Sequence, residues 1–214
     1  MKRFVINLKR RPDRLNSFFK RCPYPQESFE IVEAFDGKSP EKESKKEKKM
    51  LPKFYDRINN GARGCAITHI RIWKKMVNDN IPIAMIFEDD ANFSEHFYEF
   101  MESLVLPENF LVVYFGGRFH KNFVSPPEDM IPVNDKVYQV NCSNWNMRIH
   151  ERTTHGYIIT SKFAKFLINL FEISEQNEEV DHHMIHTLKA LNLPYHSTHP
   201  LVCWSPMVGD SDIR

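Results

Sequence analysis

"IAMIFEDDAN", residues 83–92, runs an apolar stretch directly into Glu88, Asp89 and Asp90. Ile83 to Phe87 is apolar at odd and even positions alike, the pattern of a central strand covered on both faces. Side chains alternate along a strand. Ala84, Ile86, Glu88 and Asp90 are therefore expected on one face, and Met85, Phe87 and Asp89 on the other. Adjacent carboxylates raise one another's pKa unless a cation or a set of donors offsets them. In open α/β sheets the ligand crevice lies beyond the carboxyl ends of the strands, which is where Glu88 and Asp90 fall. An E-x-D pair there suits a hard divalent cation that shares its shell with substrate phosphates. The competing reading is that the acids only favour the N-terminus of the next helix.

The flanking sequence supports a covered sheet. Phe4 to Leu8 reads as a strand, and Pro12 and Asp13 open a helix with Leu15, Phe18 and Phe19 at helical spacing. Phe29 to Phe35 reads as a second strand ending at the turn Asp36-Gly37. In residues 61–80, Ala66, Ile70, Trp73 and Val77 recur at helical spacing and mark one buried face. A helix from Ser94 to about Val105 and a strand from Phe110 to Phe115 complete a βαβαβαβ rhythm with helices on both faces. Farther on, Val137 to Val140 and "THGYIIT" read as strands, and helices are expected from Ser161, as N-cap, to about Phe171 and from about Val180 to Leu191. Pro126, Pro127 and Pro132 break the chain between them. The stretch Lys38 to Lys53, rich in Lys and Glu, has few apolar anchors and reads as a mobile insertion.

Composition narrows the function. With 29 Lys plus Arg against 28 Asp plus Glu, the formal charge is +1, which gives no electrostatic footprint for nucleic acid. The first apolar stretch is only about five residues, below the roughly seven of a signal peptide core, and nothing approaches the ~20 of a membrane span. Cys22, Cys65, Cys142 and Cys203 form no C-x-x-C pair, so reduced thiols and a cytoplasmic location are expected, in the host cytosol if the source is viral.

Six motifs occur in one order: "FVINLKRRPDR" at 4–14, "AFDG" at 34–37, "GARGCAITHIRIW" at 61–73, "IFEDD" at 86–90, "GYIIT" at 156–160 and "VD" at 180–181. Together they resemble glycosyltransferase family 25, which includes bacterial lipooligosaccharide and animal collagen galactosyltransferases, with relatives in large DNA viruses. The resemblance spans roughly residues 3 to 181. It implies one glycosyltransferase domain over residues 1–214 with a GT-A-like α/β mixed sheet flanked by helices. Residues of about 1–118 would bind the nucleotide sugar and about 119–214 the acceptor. It further implies a UDP-sugar donor, a Mn²⁺ or Mg²⁺ ion, and transfer of a hexose with inversion to a hydroxyl of a glycan, glycoprotein or collagen-like acceptor. Thr68 stands where the family usually has Ser, and the Lys/Glu insertion before Gly61 is a second departure.

The resemblance distributes roles. Glu88 and Asp90 hold the metal. Asn7 and Leu8 meet the uracil, Arg14 pairs with the diphosphate or holds the loop, and Asp36, before Gly37, accepts from a ribose hydroxyl. Arg10 and Arg11 are expected in solvent. Asp89 falls on the donor side. His69, on the edge of the buried stripe, reads from its position as a structural donor, while the resemblance puts it at the donor site. Asp181 is the expected general base, with a helix N-cap as the alternative. His182 and His183 face different directions on a helix and read as bystanders. In the tail "CWSPMVGDSDIR", Asp212 is the candidate third metal ligand, with Asp210 and His199 as alternatives. Two other functions compete: a sugar-nucleotide-binding protein without turnover, and a metal-dependent phosphohydrolase. A nucleophilic phosphohydrolase would want an Asp where this chain has Asn7.

Overall fold

The computed structural model describes residues 1–38, 45, 59–115, 130–140, 153–173 and 179–205. Most of the Lys/Glu insertion, Cys142, Asp210 and Asp212 lie outside them.

The described chain runs β1 (Lys2–Asn7), α1 (Pro12–Arg21), a 3₁₀ turn (Gln26–Ser28), β2 (Phe29–Glu33), α2 (Asn60–Asn78), β3 (Ile83–Glu88), β4 (Asn92–Phe93), α3 (Phe97–Glu102) and β5 (Val112–Tyr114). It continues through β6 (Met130–Pro132), β7 (Val137–Val140), β8 (Gly156–Thr160), α4 (Ser161–Ile173), α5 (Val180–Ala190), β9 (Tyr195–Thr198) and β10 (Cys203–Trp204). Eight strands form one sheet in the order β2-β1-β3-β8-β5-β9-β7-β6, and β10 pairs with β4 separately. β1 is parallel to β2 and β3, whereas β8 lies antiparallel between β3 and β5, so the sheet is mixed. Because β8 sits in the middle, the two halves of the sequence share one sheet.

Alternation along the central strands divides the core into two layers. Ala84 and Ile86 of β3, Phe4 and Ile6 of β1, and Tyr157 and Ile159 of β8 pack with Ile70 and Trp73 of α2, Phe163 and Leu167 of α4, and Met184 and Leu188 of α5. The residues alternating with them, Val5, Met85, Phe87 and Ile158, pack with Phe18 of α1 and Phe97 and Met101 of α3. This is the covered sheet that the apolar run of β3 demands. Among the described residues, no helix is long and apolar enough to cross a membrane.

Three local expectations shift. The expected helix from Ser94 shrinks to Phe97–Glu102, because the Ser94 N–H is taken by Val202 O (3.0 Å) and Asn92–Phe93 pairs with β10. Ser161 is the first residue of α4, not its cap: the Thr160 hydroxyl accepts the Phe163 N–H (3.3 Å). Glu179 occupies the N-cap of α5, which places Asp181 inside the first turn.

Candidate active site

The parallel strands β2, β1 and β3 present their carboxyl ends to a crevice of about 70 Å³ that is partly open to solvent. Asn7, Leu8, Arg14, Asp36, Gly37, Glu88, Asp89 and Asp90, expected at the donor site or metal, all line it, together with Cys65 and Thr68. His69 and Asp181 are not on its wall, and Asp212 falls outside the described residues.

The crevice floor depends on two glycines. A Cβ on Gly37 would stand 1.5 Å from Asn60 O, and one on Gly64 would stand 2.4 Å from Phe35 O. Only hydrogen fits at either place, so "AFDG" can lie against the start of α2. The Thr68 hydroxyl completes this junction, accepting the Phe35 N–H (2.9 Å) and donating to Gly64 O (2.7 Å). The hydroxyl kept at position 68 thus has a structural task.

The three acids are treated differently. β3 ends at Glu88, and a turn closed by Ala91 N–H to Glu88 O (3.1 Å) carries Asp89 and Asp90. Asp89 is buried, accepts Asn7 Nδ2 (2.6 Å) and pairs with Arg14 (2.5 Å). Burial lifts its pKa to about 6, with Asp90 and Glu88 adding to the rise and Arg14 and Asn7 opposing it. Arg14 also reaches Asp90 at 3.1 Å. The guanidinium is therefore engaged with carboxylates, and a diphosphate would have to share it. Arg21, which the sequence reading did not single out, clamps the turn by donating to Asp89 O and Ala91 O at 3.2 Å each.

Glu88 points into the α2 layer. Its Oε1 accepts the Thr154 hydroxyl (2.5 Å), lies 3.4 Å from His69 Nε2 and 4.0 Å from Cys65 Sγ. Burial pushes its pKa up, but His155, His69 and Thr154 together hold it below the ordinary carboxylate range. His69 is fully buried, with Nδ1 2.7 Å from the Tyr157 hydroxyl. It stands behind Glu88, off the crevice wall.

Ligand atoms of Glu88, Asp90 and His155 lie within 4.8 Å of one another. His155 Nε2 is 3.6 Å from Asp90 Oδ1, and both Asp90 Oδ1 and His155 Nδ1 are buried with no hydrogen-bond partner among the described residues. A buried carboxylate oxygen left without a donor, as Asp90 Oδ1 is, fits a bound cation. His155 was missed because β8 is read from its apolar run alone. The register that brings Glu88 N–H to His155 O (3.2 Å) joins strands far apart in sequence.

Elsewhere the placements are mixed. Asp36 Oδ2 accepts Arg10 Nε (2.8 Å) and its Oδ1 accepts the Lys38 N–H (3.0 Å). Burial raises this carboxyl, but those donors outweigh it and bring the pKa below its usual value. Arg10 is exposed, as expected, and pairs with Asp36 there, while the less exposed Arg11 pairs with Asp13 (2.9 Å). Asp181 is half-buried and accepts the N–H of His182 (2.9 Å). Burial raises its pKa, and the charges of Glu179 and Glu88 add to the rise while His182 opposes it. Asp181 also helps raise the Cys65 thiol on the crevice wall, which brings the start of α5 into the field of the acids. The His199 ring packs on Tyr138 (5.7 Å), beyond β9, which is three strands from β3.

Comparison with known proteins follows the same lines. Procollagen galactosyltransferase 1-A of Xenopus laevis is 28% identical over 178 residues, covering 78% of this chain and 28% of that protein. Procollagen galactosyltransferase 2 of Homo sapiens is 28% identical over 178 residues, covering 77% of this chain and 27% of that protein. A putative glycosyltransferase of Haemophilus influenzae is 26% identical over 125 residues, covering 58% and 41%. The chain thus spans little more than a quarter of the length of the procollagen enzymes. A solved glycosyltransferase involved in glycosylation of the major capsid of PBCV-1 overlaps 98% of this chain at a TM-score of 0.49 and 8% identity, too weak a likeness to add to the fold described above. The family described as "Glycosyltransferase family 25 (LPS biosynthesis protein)" matches residues 1–184, and with that span, which takes in β1, the acids after β3 and the start of α5, the chain belongs to glycosyltransferase family 25.

Proposed function

We propose that this chain is a metal-dependent inverting glycosyltransferase that moves a hexose from a UDP-sugar to a hydroxyl of a glycan, glycoprotein or collagen-like acceptor. The observation that carries the reading is Asp90 Oδ1, buried and without a hydrogen-bond donor beside Glu88 and His155. A carboxylate pair with one imidazole suits Mn²⁺ or Mg²⁺ with open positions for phosphate oxygens. Such an ion, when bound, supplies Lewis-acid neutralisation of the departing diphosphate.

The chain's own groups do the rest. Asn7 and Leu8 at the end of β1 receive the base, and Asp36 offers carboxylate oxygens to the ribose. Arg14 and Arg21 keep the turn of Asp89 and Asp90 in place. Inversion needs attack from the face opposite the diphosphate, so the base belongs on a separate element. Asp181 on α5 takes the proton of the acceptor hydroxyl during attack. In this reading residues of about 1–118 serve the donor and about 119–214 the acceptor, with Asp212 completing the metal shell.

A screen of UDP-sugars with Mn²⁺, scored by released UDP, tests the reaction. One donor should release UDP in an acceptor-dependent way. Calorimetry with UDP should show binding that a chelator abolishes and that Asp90→Ala weakens severely. Equal UDP affinity with and without metal would sink the cation reading.

A further inference from the structure

Glu88 belongs to two overlapping clusters. Ligand atoms of Cys65, His69 and Glu88 lie as close together as those of Glu88, Asp90 and His155. Which of the two can take a cation turns on where the His69 proton sits, and the buried hydrogen bonds behind His69 decide it.

Trp73, Tyr157 and His69 are all fully buried. The Trp73 indole N–H can only donate, and it points at the Tyr157 oxygen (3.2 Å). The Tyr157 oxygen must accept there. Its own proton then needs an acceptor, and among the described residues the only other atom within hydrogen-bond reach is His69 Nδ1 at 2.7 Å. A Tyr157 O–H donating to Nδ1 leaves the proton of neutral imidazole on Nε2, which faces Glu88 Oε1 at 3.4 Å. The opposite tautomer would set an Nε2 lone pair against a carboxylate oxygen and strand the Tyr157 proton. An imidazolium would strand that proton too, at full burial. Only one direction satisfies every group.

We propose that Trp73, Tyr157 and His69 form a one-way donor relay that fixes His69 as the Nε2–H tautomer and positions Glu88 by its Oε1, so that the cation takes the Glu88–Asp90–His155 side and not the Cys65–His69 side. Three donors converge on Oε1: the Thr154 hydroxyl, the His69 N–H and the Cys65 thiol. Burial, with the charges of Glu88, Asp181 and Asp90, raises the pKa of that thiol, and burial likewise raises that of Tyr157. No donor among the described residues falls on Oε2. His69 and Tyr157 are thus positioning residues, acting through Glu88, in the manner of the partners that orient metal-binding carboxylates.

This inference rests on the proposed cation role of Glu88, and its test separates the two. Nitrogen-15 NMR of the histidine side chains should report His69 as the neutral Nε2–H tautomer without metal. Finding Nδ1–H or imidazolium overturns the relay. In Mn²⁺ titrations followed by electron paramagnetic resonance, Tyr157→Phe should bind roughly 10- to 100-fold more weakly. His69→Gln, which keeps a donor, should lose less than His69→Leu, with circular dichroism confirming that each variant folds. Unchanged Mn²⁺ affinity in Tyr157→Phe overturns the positioning role. Co²⁺ should show no sulfur-to-cobalt absorption band, and such a band would put Cys65 in the shell and refute the proposal. If the wild-type chain shows the Nε2–H tautomer but binds no Mn²⁺, the relay stands and the proposed cation role of Glu88 fails.

Discussion

Asp181 sits in the first turn of α5, where burial and the nearby charges of Glu179 and Glu88 raise its pKa. A general base works best with a pKa moved toward the working pH, so the direction suits the role. The influence of Glu88 also brings Asp181 close enough to the acids to raise the rival idea of a metal ligand. Asp181→Asn separates them. Asn keeps an oxygen for the His182 N–H, which Asp181 Oδ1 now accepts at 2.9 Å, so the helix start should survive. UDP and Mn²⁺ affinity should hold by calorimetry while transfer falls by roughly 10² to 10⁴. Loss of metal-dependent UDP binding would move Asp181 into the donor site. At this scale the acids of "FEDD" were legible because charge beside an apolar strand needs a reason. Thr154, His155 and Arg21 were not, because each meets the acids through pairing or packing that brings together residues 65 or more positions apart.

The elements that could be read were those whose pattern is local. β3 and α2 declare themselves by continuous and helical apolar spacing. β4, β6 and β10 do not: two are two-residue bridges made only by pairing with each other, and β6 carries Pro132 at the sheet edge, where a missing N–H costs little. The junction of β2 with α2 was visible as "AFDG" and "GARG", but its cause is steric and needs coordinates. Gly64→Ala puts this to the test. In a free helix the change would stabilise by about 1 kcal/mol. Here the added methyl meets Phe35 O at 2.4 Å and Gly37 N at 3.0 Å, both backbone atoms with little room to move. Overpacking of that kind costs about 1–3 kcal/mol, so the balance should be destabilising. Denaturant unfolding should show the loss, and UDP should bind more weakly because Phe35 to Gly37 line the crevice. A variant more stable than the parent would mean that the junction is looser than the distances say.

Across the molecule, the proposed donor half, residues of about 1–118, and the proposed acceptor half share one sheet. β8, from the second half, lies between β3 and β5 of the first, pairing with both and burying Tyr157, Ile158 and Ile159 on its two faces. Cutting the chain after residue 118 would leave β3 and β5 with unpaired edges at the centre of the core. It would also remove Phe163, Leu167, Met184 and Leu188, which cover one face. Each such side chain contributes about 1.5–3 kcal/mol when fully buried, against a total stability of about 5–15 kcal/mol. The loss of those four alone is comparable to the whole margin, before the unpaired edges of β3 and β5 are counted. Residues 1–118 expressed alone should therefore give no cooperative melt by circular dichroism. The 214-residue chain should unfold in one transition, seen alike by circular dichroism and by fluorescence of Trp73, which is fully buried. A fragment of residues 1–118 that melts cooperatively and binds UDP would show instead that the donor half folds by itself, and that β8 is added to a sheet already stable without it.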